Sequence, residues 1–272
     1  MKNFLICIDS DGCAVDSMEI KHRRCFGPCM IEVWHLEKWQ DEILNRWNEI
    51  NLYTRTRGIN RFLALEIILT QINDSYMRID GIDEYQKWCR EAKTFSNAAA
   101  REQAELTHQP IFEQVLSWSS AVNSRIESIG PEIRPFDGVK DALAQMKQKA
   151  DIAVVSSANP RAVNDEWTRF GLIEYTDFVM AQDSGTKSAG IRRMIDSGYA
   201  PRRILMIGDA PGDEEAAKEN GVLYYPILAG HESESWKLLR SEALERFFGD
   251  GYDEYYQNAL TAKFHSNLGY SL

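Results

Sequence analysis

The sequence predicts an α/β fold, a parallel sheet covered by helices and interrupted by a long helical insertion, and three observations lead there. The 272-residue chain opens on a continuous apolar run, Phe4–Ile8, that stops abruptly at Asp9-Ser10-Asp11-Gly12. From about Ser17 to Pro135 apolar residues recur at helical spacing and no strand pattern stands out. Beyond Pro135 short apolar runs alternate with helical patterns, as they do in a parallel sheet with helices on its faces.

Taken in order, Phe4–Ile8 is a strand buried on both faces, since it is apolar throughout rather than alternating. Helices are expected over 31–52, 58–72, 83–92, 98–107 and 111–129; the second carries Ile59, Phe62, Leu63, Ile67 and Ile68 on one face. The sheet pattern then resumes with a helix over 139–149, a strand over 152–155, a helix over 161–170 and a short strand over 178–181. A helix over 187–197, a strand over 204–207, a helix over 213–220 closed by Gly221, and a last strand over 222–227 complete it. Two further helices are expected between 233 and 264, packing through Trp236, Leu239, Leu244, Phe247 and Phe248. The division expected is a core of residues 1–17 and 135–272, split by a helical domain of residues 18–134.

Composition narrows the function. With 44% apolar and 26% charged residues the chain is ordinary globular material, which argues against disorder, collagen and coiled coil. Against 41 acidic residues stand 31 Lys and Arg, a net charge of −10, so the overall field repels polyanions. Neither nucleic acid nor an anionic membrane surface is an expected partner, and an anionic small molecule needs positive charge placed locally. No apolar run nears the roughly 20 residues that span a bilayer; the longest, 62–69, is broken by Glu66. The N-terminal apolar stretch is too short for a signal peptide, and a cytoplasmic protein is expected. Cys7, Cys13, Cys25, Cys29 and Cys89 are odd in number, unlike a disulfide framework, and Cys25 with Cys29 lacks the second pair that a zinc site needs.

In a parallel sheet ligands gather at the carboxyl ends of strands, so the residues following each apolar run matter most. Asp9, Asp11 and Gly12 follow the first, Ser156 and Ser157 the second, Lys187 opens a later helix, and Gly208, Asp209 and Asp213 follow the 204–207 strand. Two carboxylates two residues apart share one side if the pleat continues, and Gly12 lets the chain turn away. Asp209 and Asp213, four apart at a helix start, share a face near its positive end. Carboxylates crowded in this way repel one another by several kcal/mol unless a cation joins them, and hard oxygen donors select Mg²⁺. Lys187 and Ser156 add a positive charge and a hydrogen-bond donor where a phosphoryl group would sit. Read singly, Ser156 is a helix N-cap and Lys187 a solvated residue; what joins them is that all four elements fall at strand ends and supply complementary roles.

Ile8-Asp9-Ser10-Asp11-Gly12 with Val15-Asp16-Ser17, Val154-Val155-Ser156, Lys187, and Ile207-Gly208-Asp209 with Asp213 resemble the four motifs of the haloacid dehalogenase-like hydrolase superfamily. The resemblance implies a Rossmann-like core with a mobile cap inserted between the first two motifs. The long helical insertion is similar to the cap of the phosphoglycolate phosphatase and β-phosphoglucomutase branch. It implies a two-step hydrolysis of a small-molecule phosphate ester through an aspartyl-phosphate, with Asp9 as nucleophile and Asp11 as the acid that protonates the leaving oxygen and then takes a proton from water. Mg²⁺ is implied at the Asp9 carboxylate, the Asp11 backbone carbonyl, Asp209 and Asp213, with Ser156 and Lys187 on the phosphoryl oxygens.

Dehalogenases of the superfamily generally lack the second Asp, and phosphonatases carry another residue there, so Asp11 favours phosphate esters. Two features depart from the pattern. Cys13 stands where relatives usually carry Thr, a weaker donor that could loosen the turn or make it redox-sensitive, and no proline follows Lys187. Ser156 and Ser157 compete for the second motif, and Ser156, which directly ends the apolar run, is preferred. In the insertion, Gly58-Ile59-Asn60-Arg61 is similar to the stretch through which the β-phosphoglucomutase cap meets a second phosphate, which makes Arg61 a candidate substrate contact, although three arginines before a helix, Arg55, Arg57 and Arg61, more often form a solvated surface. His22 reads as a packing or surface residue, and the tryptophans of the insertion as its core. A phosphomutase shares these residues, a non-catalytic phosphate-binding module is the remaining alternative, and either a monomer or a homodimer fits.

Overall fold

The structure is a computed structural model that describes residues 1–270; Ser271 and Leu272, the end of the expected C-terminal portion, lie outside the described residues. The chain divides into two compact units, Met1–Met18 with Ile133–Leu272, and Glu19–Glu132.

The first unit is built on a five-stranded parallel sheet. Its strands are β1 (Phe4–Ile8), β4 (Ala150–Val155), β5 (Phe178–Met180), β6 (Ile204–Gly208) and β7 (Leu223–Pro226), in the order β5-β4-β1-β6-β7. β1 and β4 are buried along nearly all their length because helices cover both faces, which is why, Asp151 apart, they are apolar without alternation. Leu5, Cys7, Ala153, Val155 and Met206 pack on one face with Ile191, Ala216 and Phe264. Register aligns the functional ends: Ile8 lies opposite Val154 of β4 and Ile207 of β6, so Asp9, Ser156 and Asp209 leave the same edge of the sheet.

The order of strands and helices in this Rossmann-like α/β core follows the sequence reading, with shifted boundaries. The helix expected over 213–220 starts at Pro211, because proline suits the first helical turn, and ends at Gly221, whose φ of +63° suits a residue without Cβ. The tail forms a helical run from Glu232 to Phe248 through a π-helical turn at Leu239–Ala243, and then the helix Glu254–Asn267.

Two short strands were not expected. β2 (Val15–Asp16) pairs antiparallel with β3 (Arg134–Pro135), Val15 opposite Pro135 and Asp16 opposite Arg134. Two residues are too few for an alternating pattern to register in a sequence.

The second unit is helical. Its helices Arg61–Ser75, Ile82–Glu91, Asn97–Thr107 and Pro110–Ile129 stand close to expectation; the first begins three residues late because Asn60 caps it, accepting the N–H of Phe62 at 3.0 Å. The single helix expected over 31–52 does not form. Helical structure already begins at Met18, runs as a π-helical turn over His22–Phe26 and an α-helix over Gly27–Trp34, and breaks at His35, whose φ is +55°. It resumes as a 3-10 turn over Glu37–Trp39 and an α-helix over Gln40–Asn48, and ends in another π-helical turn, Glu49–Tyr53. The core of this unit is aromatic: Trp47 meets Trp118 edge to face at 6.1 Å, and Phe62 meets Trp88 and Trp118 at 5.7 and 6.4 Å. Such pairs contribute about 1 kcal/mol each beyond the area they bury. His22 stacks on Phe26 at 4.6 Å and is a packing residue. Among the described residues no helix is long and apolar enough to cross a membrane.

Candidate active site

Asp9 is the first residue beyond β1 and is held by its neighbours on both sides. Its N–H donates to the Ile207 carbonyl of β6 at 3.0 Å, and its Oδ1 accepts the Ser10 N–H at 2.7 Å. The pleat expected to carry both acids to one side ends here. The chain turns instead, with Gly12 at φ +78° and the N–H groups of Cys13, Ala14 and Val15 directed at the Ser10 carbonyl.

Carboxylate oxygens of Asp9, Asp209 and Asp213 lie within 4.8 Å of one another, all three residues buried. The cluster thus holds three side chains rather than the four expected; the Asp11 side chain accepts a hydrogen bond from Ser17 Oγ, at the end of the β2 segment. Asp213 sits in the first turn of the helix Pro211–Asn220, where its Oδ2 accepts the Ala210 N–H at 3.1 Å.

Lys187 closes the cluster. It begins the helix Lys187–Asp196, which Thr186 caps by accepting the Ala189 N–H at 3.1 Å, and its Nζ lies 2.9 Å from Asp9 Oδ2 and 2.5 Å from Asp213 Oδ1. It is a buried charge between two carboxylates, so the solvated reading does not hold. Burial alone would depress the ammonium's pKa, but Asp213 and Asp9 more than offset that and leave it raised. Burial likewise pushes the Asp9 carboxyl well above the usual carboxylate range, against the pull of Lys187 and with the repulsion of Asp213 and Asp209.

Ser156 is buried at the end of β4, and its Oγ accepts the Ala158 N–H at 3.1 Å; Ser157 is exposed. Asn159, not Ser156, caps the helix Pro160–Arg169. Cys13 is buried, its Sγ donating to the Ile207 carbonyl at 3.7 Å, and burial followed by the charges of Asp209, Asp9 and Asp213 pushes its thiol pKa up. A thiol so placed is a poor redox centre. Within the second unit, Arg61 donates to Asn123 Oδ1 at 2.8 Å and Ser119 Oγ at 3.3 Å, with its guanidinium 4.9 Å from the centre of the Phe26 ring. Arg57 is buried and donates to the Leu52 carbonyl at 2.7 Å, so the three arginines do not form a solvated patch.

Three buried carboxylates against one ammonium leave excess negative charge that a divalent cation would neutralise, and all the donors are hard oxygens. The donor set therefore fits Mg²⁺. Ser17 is the residue whose role the sequence did not disclose: it lay inside the first motif, but only the turn brings its hydroxyl to Asp11.

The family description "haloacid dehalogenase-like hydrolase" matches residues 68–225, more than half of the chain, a stretch that includes Ser156, Lys187, Asp209 and Asp213 and begins after Asp9 and Asp11. Curated protein sequences yield no match. Among solved structures, a candidate phosphoglycolate phosphatase from Lactobacillus delbrueckii subsp. bulgaricus superposes with a TM-score of 0.54 at 15% identity, covering 90% of this chain and 98% of that one. A candidate β-phosphoglucomutase from Thermotoga maritima gives 0.52 at 14% identity, with 88% and 99% covered. A haloacid dehalogenase-like hydrolase candidate from Bacteroides fragilis gives 0.51 at 16% identity, with 86% and 93% covered. At such identities the likeness is one of fold.

Proposed function

The chain belongs to the haloacid dehalogenase-like hydrolase family, and from that premise we propose that it is a Mg²⁺-dependent phosphatase acting on a small-molecule phosphate monoester. The observation that carries this reading is the buried trio of Asp9, Asp209 and Asp213 with Lys187 bonded to two of its members.

Asp9 is the nucleophile: a carboxylate oxygen attacks phosphorus and forms an aspartyl-phosphate while the leaving oxygen departs. Its ionised form is what attacks, and Lys187 favours that form against burial and the neighbouring carboxylates, which together still leave its pKa raised. Asp11 gives the leaving oxygen its proton and then accepts one from the water that opens the intermediate. Its side chain accepts a hydrogen bond from the Ser17 hydroxyl. Ser156 and Lys187 bind the phosphoryl oxygens not engaged elsewhere. The Asp9 carboxylate, the Asp11 carbonyl, Asp209 and Asp213 hold Mg²⁺, which when bound offsets charge accumulating on the phosphoryl group.

The unit of Glu19–Glu132 is the cap that selects the substrate, with Arg61 as the residue assigned to contact it. A cytoplasmic location is in keeping with five cysteines that are all free.

The test is phosphate release with and without Mg²⁺ by the wild type and Asp9→Asn across sugar phosphates, phosphoglycolate, nucleotides and p-nitrophenyl phosphate. Turnover should require Mg²⁺ and fall by on the order of 10³ or more in Asp9→Asn, with the fold intact by circular dichroism. Undiminished turnover in that variant would refute the mechanism.

A further inference from the structure

We propose that Trp236, in the portion of the chain beyond the last strand, is a positioning residue for the turn that carries Asp11. The inference rests on the assignment of Asp11 as the proton-transfer group.

The turn from Ser10 to Val15 is tied at its far end to the Arg134–Pro135 strand, where Val15 lies opposite Pro135 and the Phe136 N–H donates to the Ala14 carbonyl at 3.1 Å. It contains a glycine at φ +78°, and its internal hydrogen bonds converge on one acceptor, the Ser10 carbonyl, at 3.3, 3.0 and 2.9 Å, with Gly12 N–H to the Val15 carbonyl at 2.9 Å as the return contact. Two fully buried tryptophans clamp its ends. Trp167 Nε1 donates to Ser10 Oγ at 2.9 Å, and Trp236 Nε1 donates to the Cys13 carbonyl at 2.9 Å. These indoles lie 157 and 223 residues away in the chain from the groups they hold.

The second clamp comes from the tail. Trp236 lies on the short helix Glu232–Leu238, which is itself fastened to the end of β7: Tyr225 Oη donates to the Ser235 carbonyl at 2.7 Å, and Ser235 Oγ accepts the Leu228 N–H at 3.1 Å. Hydrogen bonds at Ser235 and at its chain neighbour Trp236 therefore link the sheet to the carbonyl two residues beyond Asp11. Cys13 is completely buried, so without the indole its carbonyl has no water to turn to, and the turn must shift to find another donor. A small shift matters, because proton transfer demands that Asp11 stay within hydrogen-bond reach of the leaving oxygen. The tail is thus part of the support of the active site.

Trp236→Phe keeps an aromatic ring and removes the donor; replacing Trp236 with β-(3-benzothienyl)alanine also keeps the bicyclic volume. Each variant is compared with Leu239→Ala, a buried packing change in the same tail. Three quantities are read in the full chain: hydrogen–deuterium exchange of the amides of residues 10–15, kcat and KM with Mg²⁺, and the thermal midpoint. The expected result is that both Trp236 variants accelerate exchange in that turn by about tenfold or more and lower kcat by about ten- to hundredfold, with KM within about twofold. Leu239→Ala should lower the midpoint and leave turn exchange and kcat near wild type. Wild-type exchange and kcat in a folded Trp236 variant would overturn the proposal, as would an equal effect from Leu239→Ala. If the wild type releases no phosphate from any substrate, the phosphatase reading fails, and the exchange measurement decides the role of Trp236 by itself.

Discussion

Asp151 shows how a single buried charge is made tolerable in this fold. It lies within β4, and its Oδ2 accepts hydrogen bonds from the Lys2 N–H and the Tyr199 hydroxyl, each at 2.6 Å. Burial raises its pKa, but those donors more than offset it, and the carboxyl stays below its ordinary value near 3.8. A depressed folded-state pKa means that the ionised group stabilises the fold above the ordinary value and loses that contribution as pH falls through the lower one. Asp151→Asn should therefore destabilise the protein by about 2 kcal/mol at pH 7, and urea unfolding should show the gap between variant and wild type shrinking toward pH 3. A gap independent of pH would mean that the ionised form is not what the two donors favour. Site residues divide in the same way between what sequence discloses and what it hides. Asp9, Asp209 and Asp213 stand out because strand ends are recognisable, whereas the burial of Lys187 and the partners of Asp11 and Ser10 do not, since Lys187 opens a helix, Ser17 reaches its acid through a turn and Trp167 its hydroxyl from 157 residues away.

At the level of elements, the junction between β6 and the helix Pro211–Asn220 decides where two acids of the trio stand. Gly208 ends the strand, and a Cβ placed there would overlap the Asp213 carboxyl. The Gly208 carbonyl accepts the Tyr224 hydroxyl at 3.1 Å and the Ile227 N–H at 2.8 Å, so the backbone has no room to retreat. Gly208→Ala should cost about 1–3 kcal/mol as an overpacked site, and it should abolish Mg²⁺-dependent phosphate release while thermal melting still shows a cooperative transition. Retained activity would mean that Asp213 can move without consequence. Elements of the sheet were legible because buried parallel strands are apolar throughout and end in polar turns. The region of 31–52 was not, because periodicity persists through π-helical turns and cannot register that His35 adopts a positive φ.

For the whole molecule, the charge balance of the site predicts linkage between metal and stability. Asp9, Asp209 and Asp213 bury three acidic groups around one lysine, and a cation that binds only the folded state stabilises it in proportion to its occupancy. At a hundred times its dissociation constant Mg²⁺ should add about 2.7 kcal/mol, roughly 5 to 10 °C in midpoint for a chain of this size. Chelation should reverse the gain, and Asp209→Asn should remove most of it; a wild-type midpoint indifferent to Mg²⁺ would argue against the cation. By itself the chain's sequence determined the α/β class, the helical insertion and the identity of the acids at the strand ends, because hydrophobic periodicity and turn chemistry are local properties. Folding alone brought Lys187 between Asp9 and Asp213, the Ser17 hydroxyl to Asp11 and Trp236 to the Cys13 carbonyl. The Lys187 and Trp236 contacts join segments far apart in the chain, and it is packing, through strand register and the seating of helices on the sheet, that selects which distant donor meets which acceptor.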